Sequence, residues 1–169
     1  MRVLGIDPGI AMTGWGIIEE IQRSTLRRRS GQEFKVQNFG CIETSPKKHT
    51  EKRLEEIYLE IINLINKYKP DALAIEELFF NTNSKTAFIV GQARGVVLLA
   101  GAQKKLSIGI YTPLQVKIAV SGYGRAEKAQ IGKMVKTILS LKEIPAPDDT
   151  ADALAVGLTH LFSRRINKL

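Results

Sequence analysis

Arg2-Val3-Leu4-Gly5-Ile6-Asp7-Pro8-Gly9 is the stretch on which the reading of the fold turns. Val3 to Ile6 is an apolar run of strand length, stopped by Asp-Pro-Gly. Pro at the second and Gly at the third position of a four-residue turn suit type II geometry. A strand that ends this way leads into a second, Gly14 to Glu20, and a third follows at Phe34 to Thr44. Between the second and third lies a polar segment, Gln22 to Gln32, with Arg23, Arg27, Arg28 and Arg29. It has no apolar period and reads as a protruding hairpin tip.

Beyond these strands the period changes. Leu54, Ile57, Ile61, Ile62, Ile65 and Tyr68 recur at helical spacing, and Pro70 ends that helix. Ala72 to Ile75 is a short buried strand, and Ser84 suits the N-cap of a helix running to about Lys105. Ser107 to Tyr111 is a fifth strand, after which Thr112-Pro113 opens a short helix. The loop Ser121 to Gly124 separates it from a helix carrying Ile131, Met134, Val135 and Ile138. After Pro145 and Pro147 a last helix runs from about Asp149 to Arg164. Hairpins first and crossovers later predict an α/β fold with a mixed sheet. No repeat or linker divides the 169 residues, so 1–169 reads as a single domain.

Composition narrows the partners. Twenty-five Lys and Arg against seventeen Asp and Glu leave a net charge of +8 on an otherwise ordinary globular composition. Such a surface favours polyanions, nucleic acid or acidic membrane. The single Cys41 excludes an internal disulfide and a Cys-rich metal site, and two histidines, His49 and His160, are too few for a His-based one. No signal peptide and no apolar run of membrane-spanning length is recognisable, which makes a cytoplasmic location without membrane contact the expectation.

The acidic residues carry the chemistry. Asp7 stands where the first strand ends, kept out of helical geometry by Pro8; the alternative is an Asp that merely starts a turn. Glu76 and Glu77 follow a buried strand, where a carboxylate needs solvent, a partner or a metal. Strand alternation sends them to opposite faces, so only one easily joins Asp7. In Asp148-Asp149-Thr150-Ala151-Asp152, either Asp149 with Asp152 or Asp148 with Asp152 can share a cation on one helix face. Capping and dipole complementation explain Asp148 well, but not Asp152, one turn further in among alanines and Leu154. Together these groups are the all-oxygen set that magnesium requires. Two such ions roughly 4 Å apart promote phosphodiester hydrolysis.

The segments G-I-D-P-G-I-A-M-T-G-W-G, A-I-E-E-L-F, G-Q-A-R-G-V, A-E-K-A-Q-I and D-D-T-A-D-A-L-A-V-G-L-T-H, in this order, resemble the RuvC family of crossover-junction endonucleases, the Holliday-junction resolvases. The likeness runs from about Arg2 to His160. It implies a ribonuclease H-like fold, a five-stranded mixed sheet flanked by helices, acting as a homodimer on four-way DNA junctions. The implied reaction is magnesium-dependent hydrolysis by paired, symmetric cuts leaving 5′-phosphate nicks. The metal-binding residues implied are Asp7, Glu76, Asp149 and Asp152, with two magnesium ions per subunit and manganese as the alternative ion. Glu77 is then accessory. Lys117 and Lys128 match basic residues that contact the scissile phosphate or steady charge in the transition state. Phe79 matches an aromatic that contacts bases near the branch point; from chemistry alone, core packing of Phe79 and Phe80 is an equal alternative. Arg125 joins Phe79, Lys117 and Lys128 as a DNA-binding candidate. The Arg-rich tip is longer than the turn expected there, and either adds phosphate contacts or is simply solvated. A branch-migration helicase complex is the partner implied beside the junction.

Ala87, Gly91 and Gly95, spaced by four, and Ala102 lie on the helix that starts at Ser84. Small residues at that spacing mean close packing, on the protein's own core or, as the resemblance suggests, across a two-fold subunit contact. Two rival readings stand beside the nuclease. One is a non-catalytic junction-binding protein whose acidic cluster is structural. The other is an actin-like ATPase, since D-P-G-x-x-x-T-G also resembles a phosphate-binding hairpin. No second Gly-rich phosphate loop accompanies it.

Overall fold

β1 (Arg2–Asp7) lies at the centre of a five-stranded sheet, antiparallel to β2 (Met12–Glu20) on one side. On its other side it runs parallel to β4 (Ala72–Glu76). β3 (Phe34–Glu43) continues the antiparallel half beyond β2, and β5 (Ser107–Tyr111) the parallel half beyond β4. The order is therefore β3-β2-β1-β4-β5. Among the described residues five helices follow: α1 (Thr50–Tyr68), α2 (Ser84–Gln103), α3 (Pro113–Ser121), α4 (Lys128–Ile138) and α5 (Asp148–Ile166). This is the ribonuclease H-like fold. The computed structural model describes residues 1–21, 34–77 and 84–166. The whole of the Arg-rich segment Gln22 to Gln32, together with Phe79 and Phe80, lies outside the described residues.

Alternation along the strands sorts two cores. Leu4, Ile6, Ile17, Leu73 and Ile75 point to one face, where α1 and α2 bury Ile57, Ile61, Ala93 and Val97 against them. Val3, Ile18, Ala72 and Ala74 point to the other, beneath Leu154, Ala155, Leu158 and Leu161 of α5, with α3 and α4 adding Val116, Val120, Ile131 and Val135. The α5 face is unusually bare: Gly5 pairs with Gly16, and Asp7 with Gly14, across β1 and β2. A helix can therefore lie close to the sheet there.

Local chemistry sets the ends. α1 stops where Lys69 turns left-handed and donates its N–H to Ile65 O, just before Pro70. Thr112 caps α3 through its hydroxyl, which accepts from the Gln115 N–H, while the Gln115 side chain accepts from the Thr112 N–H. The turn after β1 departs from expectation. Gly9 does not take the positive φ that a type II turn demands, since Gly122 alone among the described glycines does. Crowding explains the glycine instead: a Cβ on Gly9 would stand 2.3 Å from Met12 O. The Thr13 hydroxyl, fully buried, donates to Gly9 O at 2.6 Å and closes the turn from within.

Candidate active site

Asp7, the last residue of β1, and Glu76, the last of β4, stand side by side, one position past the Ile6–Ile75 pair of the parallel ladder. Alternation places both on the α5 face. Glu77 has the opposite parity; it is exposed, with its backbone N–H donating to Tyr111 O. Arg94 of α2 steadies this strand end by donating Nε to Glu76 O at 3.2 Å.

The glycines bring the third acidic segment to the same place. A Cβ on Gly14 would fall 2.0 Å from Asp149 O, one on Gly5 2.1 Å from Ala153 O, and one on Gly16 2.4 Å from Leu154 Cδ2. The first turns of α5 thus rest directly on β1 and β2, and Asp149 and Asp152 come down beside Asp7. Thr150, fully buried, is held to β3 by contact of its hydroxyl with Cys41 Sγ at 3.1 Å. Asp148 points outward and is exposed.

Burial and the crowding of like charges act together on these carboxyls. Burial, then repulsion from Asp152, Glu76 and Asp149, pushes the Asp7 carboxyl up to about 7, against the opposing pull of Lys128. Glu76 is also raised, by burial and Asp152, with Lys128 and Lys117 opposing. Burial raises Asp152 in the same way, although the Lys128 hydrogen bond works against it. Lys128 Nζ lies 2.9 Å from Asp152 Oδ2 and 3.6 Å from Asp148 Oδ2. Burial works against its ammonium, but that hydrogen bond and the surrounding carboxylates prevail, holding its pKa above the ordinary range.

Lys117 joins Glu76, Lys128 and Asp152 in lining a cleft of about 270 Å³. Arg125 is exposed on the loop before α4 and does not line this cleft. Phe79 lies outside the described residues. The donor set suits a hard divalent cation, since every candidate ligand is a carboxylate oxygen and the four carboxylates outnumber Lys117 and Lys128. As the side chains stand, no three acidic, His or Cys groups among the described residues converge tightly enough to hold an ion.

Sequence reasoning missed the glycine platform, Arg94 and the Cys41–Thr150 contact. Only the platform left a signal. Glycines two apart in Gly14-Trp15-Gly16 strip one face of a strand, which marks close approach by another element.

Residues 3–160 match the family model described as "Crossover junction endodeoxyribonuclease RuvC". The chain belongs to the RuvC family. The RuvC crossover junction endodeoxyribonuclease of Caldicellulosiruptor saccharolyticus is 56% identical over 163 residues, covering 96% of this chain and 93% of its own. That of Halothermothrix orenii is 51% identical over 168 residues, covering 99% and 96%. Thermus thermophilus RuvC, solved in complex with Holliday junction substrate, is 36% identical with a TM-score of 0.88, covering 99% of this chain and 96% of that one. RuvC family membership sets the actin-like ATPase reading aside. No helix among the described residues is long and apolar enough to cross a membrane.

Proposed function

We propose that this crossover junction endodeoxyribonuclease resolves Holliday junctions through Asp7, Glu76, Asp149 and Asp152, which together hold two magnesium ions per subunit. The observation that carries the site is geometric: Asp7 and Glu76 end adjacent parallel strands, and Asp149 and Asp152 of α5 rest over the glycines beside them. Four carboxylates thus gather at one end of the sheet with only Lys117 and Lys128, among the described residues, to offset them. Bound divalent ions, with manganese able to replace magnesium, supply Lewis acidity for hydrolysis that leaves a 5′-phosphate. Asp7 and Glu76, fixed at adjacent strand ends, set the floor of the site. Asp149 and Asp152 close it from α5.

Lys117 and Lys128 line the cleft where the scissile phosphate enters and offset its charge. Arg125, exposed nearby in sequence, contacts the DNA backbone, and Phe79 stacks on an unpaired base at the branch point. The whole chain, 1–169, acts as one nuclease domain in the cytoplasm and receives junctions from a branch-migration helicase complex.

A homodimer matches the two-fold symmetry of a four-way junction and allows paired cuts on like strands. The α2 face carrying Phe88, Gly95, Leu99 and Ala102 supports this assembly. Phe88 is 68% and Leu99 52% exposed, and a Cβ on Gly95 would meet nothing within 4 Å. Apolar and small residues on an open helix face suit a subunit contact.

The deciding experiment is cleavage of an end-labelled four-way junction beside a linear duplex of matched sequence, with and without magnesium. Symmetric, magnesium-dependent nicks near the branch point, lost in Asp7→Asn while binding persists, are expected. Tight junction binding without cleavage under any divalent ion would instead support the non-catalytic binding protein. Leu99→Glu should convert paired cuts to single nicks and halve the mass in solution.

A further inference from the structure

Lys128 stands between two carboxylates and between two clefts. Its ammonium is hydrogen-bonded to Asp152 at 2.9 Å and lies 3.6 Å from Asp148. The Asp152 side chain is 26% exposed and that of Asp148 77%, so one partner lies inward and the other faces solvent. Lys128 also lines both the cleft of about 270 Å³, with Glu76 and Asp152, and a second of about 430 Å³, with Lys133, Ile144 and Asp148. Space therefore exists on both sides of it. A lysine ammonium on a flexible four-carbon stem can pass between acceptors without leaving either far behind.

We infer that Lys128 is a tethered counter-ion: it holds Asp152 while the site is free of metal, and passes to Asp148 when a divalent cation takes Asp152. This rests on the metal-site reading above. A cation and an ammonium cannot both sit against the same carboxylate oxygen without strong repulsion. Asp148, one turn before Asp152 on α5, offers the displaced charge a nearby acceptor on the solvent side. Lys128 then competes with the metal and sets the concentration at which the site fills. Asp148 is neither ligand nor merely a helix-end charge, but the acceptor that makes the exchange possible. The freed ammonium lies at the cleft mouth, where a DNA phosphate can use it.

The test is a manganese titration of DNA-free protein, with free Mn²⁺ read by electron paramagnetic resonance. Lys128→Gln should bind manganese about tenfold more tightly than wild type, in the range of ordinary coupling between sites. Asp148→Asn should weaken binding in the wild-type background and leave it unchanged in the Lys128→Gln background. Lys117→Gln removes the same charge from the same cleft, but Lys117 forms no ion pair among the described residues. It should tighten binding far less. Equal or weaker binding by Lys128→Gln overturns the exchange, as does equal tightening by Lys117→Gln, which would indicate a general field effect. A loss from Asp148→Asn of the same size in both backgrounds overturns the part assigned to Asp148. Wild-type protein with no saturable manganese binding would overturn the metal site itself. Lys128 is exposed, so its variants should fold; Lys128→Met, which keeps the stem, repeats the measurement.

Discussion

The two ends of α5 make an instructive pair. Both press titratable side chains onto the sheet where side chains are missing: Gly14 and Gly5 at the N-terminal end, Gly109 at the other, where a Cβ would stand 2.4 Å from His160 Nδ1. At the C-terminal end the polar group is satisfied. His160 Nδ1 and the Tyr111 hydroxyl share a hydrogen bond of 2.8 Å, and the rings meet edge-on. Burial, with Arg164 adding to it, keeps the imidazole below its ordinary pKa and so neutral. At the N-terminal end Asp7, Glu76 and Asp152 repel one another, and Lys128 offsets only part of that charge. The larger cavity, about 730 Å³, opens at the His160 end, and the carboxylates line the smaller one. Volume therefore does not distinguish the two ends chemically; uncompensated charge does.

The largest expected effect tests that distinction directly. Asp152→Asn should reduce junction cleavage by about 10³-fold or more, as the proposed metal site requires, with the fold retained in circular dichroism. Next comes Gly14→Ala, whose Cβ would collide with the backbone of Asp149. Displacing α5 by even part of an ångström should cost roughly 10- to 100-fold in turnover and about 1–3 kcal/mol of stability in chemical denaturation. If Gly14→Ala is stable and fully active, the platform is not what places Asp149.

pH should move the two ends in opposite directions. Asp7 rises from an ordinary 3.8 to about 7 on folding, so between these values the folded chain binds more protons than the unfolded one. In metal-free protein this contribution to stability is full below about pH 4 and is lost as the pH rises towards 7. Asp7→Asn should remove that slope from the melting temperature, and magnesium should mask it. His160 is lowered from 6.5, so its contribution is present at neutral pH and is lost as the pH falls below 6.5. His160→Gln should remove that second slope alone. The smallest effect expected is on catalysis by this same variant: cleavage within about twofold of wild type, with roughly 1 kcal/mol of stability lost with the hydrogen bond. A large loss of cleavage would break the comparison and make the His160 end part of the site.

Much of this architecture was legible in the residues. The apolar run Val3 to Ile6, the helical period from Leu54 to Tyr68 and the Thr112-Pro113 start all became elements close to their expected bounds. The parity of Glu76 and Glu77 correctly indicated that only one of them joins Asp7. The turn at Gly9 is not legible in the same way, because a glycine serves a positive φ or a close backbone approach, and sequence does not distinguish the two. Both Asp149 and Asp148 were open partners for Asp152 on spacing alone. The orientation of α5 separates them, turning Asp149 towards Asp7 and Asp148 towards solvent and Lys128.

By itself the sequence determined the order of elements, the basic charge of the chain and the carboxylates available for chemistry. These depend on local period, on side-chain type and on the positions where Pro and Gly interrupt the chain. Only the tertiary structure decided that β1, β4 and α5 bring their acidic residues to the same end of the sheet, that Lys128 stands among them, and that His160 is satisfied elsewhere. The physical reason is that repulsion, burial and the fit of a helix over bare glycines depend on distances through space. Residues 7, 76 and 152 carry no mark of their mutual distance until the sheet is formed and the helix rests on it.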